Sequence, residues 1–208
     1  MDWDSILNWR LLRGSHEFPG RDGGTCINEA AVIAAGFPYR EVKSQWDLPP
    51  CFCPVISMFA LGLNDGMDDE TRQRLVPFVV RLAGTRDEGA ERARAELLAM
   101  RAVNVFAARA LGDAGLFKEA AECLRAGSLR AACCAERGIV FVGMMSCAYA
   151  LGDGVERAVL CASSSARSAR RGNFAAAAAD AAAAAASAAA AAASAAEGSD
   201  AVWDDAIA

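Results

Sequence analysis

A chain of 208 residues with a formal net charge of −5 is long enough for one substantial core and too acidic for a general attraction to nucleic acid or an anionic membrane. Apolar residues make up 54% of it, yet only 7% is aromatic and alanine supplies much of the remainder, so its helices must pack closely over small side chains. Eight cysteines without regular spacing, behind an acidic Met1-Asp2-Trp3-Asp4 start, argue against a disulfide framework and a secretory signal, and the expected compartment is the cytoplasm.

In chain order, Asp2 to Arg13 reads as a short helix with Trp3, Ile6, Leu7 and Leu11 on one face and Gly14 ending it. Turn signals follow in quick succession around Pro19, Gly20, Gly23 and Gly24. Thr25 to Ala35 should be helical, with Cys26, Ala30, Ile33 and Ala34 inward and Gly36 in the left-handed cap position. Phe37 to Pro50 is irregular. Pro54 to Asn64 is the next helix, with Cys53 at its N-cap and Val55, Met58, Phe59 and Leu63 inward.

Asp68 opens a helix to Gly84 that should kink near Pro77 and bury Leu75, Val79 and Leu82. Thr85-Arg86-Asp87-Glu88 has the form of a capping box for a helix to about Leu111, whose inward positions are Leu97, Met100, Asn104 and Leu111. Shorter alanine-rich helices follow over Leu116–Ala126, Ser128–Arg137 and Ile139–Leu151, and Asp153 to about Arg171 is the next, ending in the cations Arg167, Arg170 and Arg171. Cys123, Cys133, Cys134 and Cys147 fall on these helices and read as buried thiols.

After Gly172-Asn173 comes a repeat in which Asp180, Ser187 and Ser194 recur with only alanine between them. Alanine has the highest intrinsic helix propensity, and its small side chain lets helices approach closely. The expected use of this arm is docking on other alanine-rich helices, in this chain or in a second copy. Ile139–Leu151 is too short to span a membrane and Asp180 interrupts the longer alanine run, so no membrane span is expected. Val202, Trp203 and Ile207 mark a last amphipathic helix.

The candidate chemistry lies between Ser15 and Pro54, which holds the only histidine and three cysteines. His16, Cys26, Cys51 and Cys53 offer one nitrogen and three sulfurs, a composition that zinc accepts in tetrahedral structural sites, although the C-x-C spacing is not that of a zinc knuckle. A second reading is catalytic. A thiol at the N-terminus of a helix loses its proton more easily, so Cys53 or Cys51 could serve as nucleophile with His16 as base and Glu29 or Asp47 to orient it. A third reading buries the thiols as small hydrophobes.

The series Gly14-Ser15-His16-x-x-Pro19, Cys26-x-x-Glu29-Ala30, Ala34-Ala35-Gly36, Asp47-x-x-Pro50-Cys51, Pro54-Val55-Ile56, Asn64-Asp65, Arg72-Gln73-x-Leu75-x-Pro77 and Gly84-Thr85 resembles a group of bacterial and phage-borne proteins. In that group a similar N-terminal half precedes long alanine-rich helical repeats. The resemblance covers roughly residues 10 to 90 by motif and the tail by composition, where this chain has alanine in place of tryptophan. It implies no activity, but it singles out His16, Cys26, Glu29, Asp47 and Cys51 and leaves Cys53 aside.

The expected protein is therefore all-α. A loop-rich N-terminal module over 1–84 precedes a helical bundle over 85–172 and an alanine-rich arm over 173–208, packed on the bundle or on a second copy. Its expected role is non-catalytic assembly or interaction with a protein partner or with itself; His16, Cys26, Cys51 and Cys53 are the candidate ligands should it hold a structural metal such as zinc, and buried, metal-free thiols are the competing expectation. The alternative is a metal- or thiol-dependent enzyme at His16, Cys26 and Cys51.

Overall fold

A computed structural model describes residues 10–16, 24–131, 153–194 and 200–208. Among these residues the architecture is all-α, with nine α-helices and no strand beyond a single parallel bridge between Leu11 and Thr25. The chain divides into two compact units, Met1–Glu91 and Arg92–Ala208. The second contains residues 92–172 together with the whole alanine-rich stretch. The helices anticipated over 128–137 and 139–151, with Cys133, Cys134 and Cys147, fall mostly or wholly outside the described residues.

The first unit is built on α1, Ile27–Ala34, which is buried on nearly every side; only Ile33 is half-exposed. Cys26 is its N-cap, and Gly36, at φ 85°, ends it as the sequence predicts. There Gly36 N–H donates to Ile33 O at 2.8 Å and Phe37 N–H to Val32 O at 3.1 Å, closing the orphan carbonyls of the last turn. α2, Pro54–Gly66, begins as anticipated with Cys53 at the N-cap and proline at the first position. Val55 and Leu63 face inward as expected, but Met58 and Phe59 are only half-buried, while Ser57, Ala60 and Leu61 are buried.

Asp68 caps α3, Asp69–Arg72, by accepting from the Glu70 and Thr71 amides at 3.0 and 2.9 Å. The chain then tightens into a 3-10 helix over Gln73–Arg81 in place of the kinked α-helix expected there. Pro77 has no N–H and its ring opposes the α-helical carbonyl four residues back, so the tighter winding accommodates it. Leu75, Val79 and Leu82 are nonetheless buried as anticipated.

A further departure concerns residues 10–13, which do not continue a helix. They run extended, with Leu12 N–H donating to Thr25 O at 3.0 Å. The Gln73 amide holds this segment by accepting from Leu11 N–H at 3.0 Å and donating to Leu11 O at 2.9 Å. A backbone paired in that way cannot also make helical bonds. Residues 1–9 lie outside the described set.

α4, Glu88–Arg101, starts two residues later than the capping-box pattern indicates. Asp87, not Thr85, accepts from the Gly89 and Ala90 amides at 3.0 and 3.2 Å. Thr85 Oγ1 instead donates to Leu82 O and accepts from Cys53 N–H. Leu97 stands 62% exposed against expectation, because the inner face is made by Ala95, Ala99 and Ala102. A π turn over Ala102–Ala107 then inserts one extra residue per turn and rotates the following α5, Ala108–Asp113, so that Leu111 is buried.

α6 spans Phe117–Leu124, α7 Asp153–Arg170, α8 Phe174–Ser194 and α9 Asp200–Ile207. The alanine-rich α8 docks on helices of its own unit. Between Ala177 and Ala192 ten alanines are buried and only Ala190 is exposed. Its repeat carries interhelical bonds: Asp180 Oδ2 accepts from Ser164 Oγ at 2.8 Å and Ser168 Oγ at 3.4 Å, and Ser165 Oγ donates to Ala177 O at 2.6 Å. By length and composition Phe174–Ala192 could cross a membrane; 56% of it is buried against the rest of the protein. Val202 and Trp203 of α9 are buried as the sequence indicates.

Gly154 of α7 shows how near α7 and α8 come. A Cβ added there would lie 3.1 Å from Ala191 N and 3.2 Å from its Cα. Gly154→Leu should therefore cost about 1–3 kcal/mol, because the obstacle is helix backbone and cannot swing aside. Urea unfolding of the variant checks this, and an unchanged midpoint would contradict the close approach.

Candidate functional site

The residues singled out between Ser15 and Pro54 do not form one cluster. Two of them, His16 and Cys26, meet around a third, Glu29, in the first turn of α1, and the others are engaged elsewhere. Glu29 is fully buried. Its Oε1 accepts from Ser15 Oγ at 3.0 Å, His16 N–H at 3.2 Å and Val42 N–H at 3.3 Å. Its Oε2 accepts from Cys26 N–H at 3.1 Å and Thr25 Oγ1 at 3.3 Å. The bond from Cys26 N–H is half of a capping box with cysteine in the place of serine. The other four bring three separate stretches of loop onto one side chain.

The Cys26 thiol lies beside this carboxylate, fully buried. Burial first, and then the negative charge of Glu29, push its pKa far above the ordinary thiol range. It is held as the thiol, the opposite of an activated nucleophile. The Tyr39 phenol is raised in the same way, by burial and then by Glu29. His16 reaches Glu29 through its backbone, and its buried Nε2 has no hydrogen-bond partner among the described residues. The histidine is positioned as a loop residue and not as a base oriented by the acid.

Asp47 has a local task. Its Oδ2 accepts from Lys43 N–H at 3.1 Å and from Ser44 N–H and Oγ, both at 2.8 Å, in a 3-10 turn over Gln45–Asp47. The Ser44 hydroxyl is the chief cause of its lowered pKa. Cys53 is fully buried and its N–H donates to Thr85 Oγ1 at 3.0 Å. Cys51 is half-buried, and its carbonyl accepts from Arg86 N–H at 3.1 Å. The C-x-C pair thus joins α2 to the 84–86 loop.

Among the described residues no three or more His, Cys, Asp or Glu side chains are grouped so that they could hold a metal ion. His16, Cys26, Cys51 and Cys53 are consequently not gathered into the tetrahedral shell that their composition suggested. The acid proposed to orient His16 is occupied by backbone amides and hydroxyls. What the arrangement can do chemically is fasten loops.

The same is true of polar residues that sequence reasoning left without a role. Asn64 is buried, accepts from Ile27 N–H at 3.3 Å and donates to Leu12 O at 2.8 Å. Its neighbour Asp65 accepts from Gly14 N–H at 2.8 Å. Arg72, also buried, donates through Nε to Asn64 O and through Nη2 to Met67 O at the end of α2, with Asp69 as its ion-pair partner. Gly14, Glu29, Asn64, Asp65, Arg72 and Gln73 therefore all act on the course of residues 10–16 or on the helix ends beneath it. The available signal was that polar residues stand at fixed places in an otherwise apolar pattern.

No protein-family model, curated protein or solved structure matches this chain.

Two outcomes follow. Glu29→Ala strands four donors, since the Thr25 hydroxyl can turn to Cys26 O at 3.3 Å, and should destabilise the protein by about 3 kcal/mol or more, whereas Ser15→Ala, which removes a single donor, should cost about 1 kcal/mol; chemical denaturation measures both. The second concerns pH. The Cys26 pKa is raised in the folded protein, so the unfolded chain loses that proton first as pH rises through its ordinary value of 9.0. Stability should be insensitive to this group below that value and decline above it, and Cys26→Ala should flatten part of the decline in the urea midpoint.

Proposed function

We propose that this protein is a non-catalytic helical assembly protein that acts by binding another protein or a second copy of itself. The observation that carries this reading is on α6, where Phe117 is 74% and Leu124 is 64% exposed. Seven positions apart, they stand on one face of the helix. Large apolar side chains paired in that way are more informative than scattered ones, because a face of this kind is a favourable contact surface once water leaves it.

The state of the early module supports the same reading. Glu29 has five internal donors, Asp47 closes its own turn, and Cys26 and Cys53 are buried. An enzyme at His16, Cys26 and Cys51 would need an accessible thiol of lowered pKa beside a base, and Cys26 has neither property. The net charge of −5 favours protein over nucleic acid as the partner.

Alkylation of the native protein, mapped by mass spectrometry, separates the two readings. The assembly reading expects Cys26 and Cys53 to stay unmodified until the chain is unfolded and Cys51 to react no faster than an ordinary thiol. One cysteine among the three reacting ten-fold faster than free thiol at neutral pH would defeat it in favour of catalysis.

A further inference from the structure

We draw no further inference here: the strongest candidate, the exposed apolar face of α6 at Phe117 and Leu124, belongs to the surface already described, and nothing in the structure shows what covers it.

Discussion

One buried carboxylate, met by no cation among the described residues, sets the terms for the first unit. Removing an ionised group from water costs several kcal/mol, and among the described residues no lysine or arginine donates to Glu29. The cost is offset by five donors, and hydrogen bonds to a charged acceptor are worth about 1.5–3 kcal/mol each. Because the donors come from residues 15–16, 25–26 and 42, the carboxylate is satisfied only when three loops are all in place. The arrangement favours one loop conformation strongly, since every partial alternative leaves a charge underbonded. The Asn64, Arg72 and Gln73 contacts extend the same logic to the segment from Leu11 to Gly14.

The second unit is held by a different means. Its alanine-rich helix α8 has few polar side chains and buries mostly methyl groups. Each buried methyl contributes roughly 0.8 kcal/mol, so area alone is a modest source of stability. Closeness compensates, because backbones separated only by methyl groups, as at Gly154 and Ala191, make many short dispersion contacts. Asp180 and the serines opposite it then fix the register that smooth alanine surfaces would leave open. Specificity in this unit comes from a handful of hydroxyls, whereas in the first unit it comes from an acid.

Much of the fold was legible in local pattern. Gly36 ends α1 and Cys53-Pro54 starts α2 because caps depend on a few neighbouring residues. The inward set Leu75, Val79 and Leu82 survived even though the winding changed to 3-10, since nearby spacings serve both forms. What failed depended on distant partners or on a shift of period. A regular 3.6 repeat places Leu97 inward, whereas the alanines of α4 and the π turn after it set that repeat differently. Thr85 has the chemistry of a cap but is drawn away by Leu82 and Cys53. At the site, the sequence named His16, Cys26 and Glu29 together, and they do converge. Their relation could not be read, because composition offers a histidine and a thiol as ligands whereas the fold uses their backbone amides. Nothing in a one-dimensional pattern separates these two uses.

The long alanine helix has a consequence for how this protein comes apart. Twenty-one residues of nearly pure helix former retain helical character without tertiary support, since propagation is favourable at each alanine once a turn exists. The denatured ensemble is thus not a featureless coil but holds a fluctuating rod where α8 was. Circular dichroism at 222 nm will then report residual signal after the Glu29 loops have opened, and the apparent cooperativity of melting will depend on the probe that follows it. Refolding of the second unit can begin from a preformed element, which lowers the entropic barrier to its assembly relative to that of the loop-built first unit.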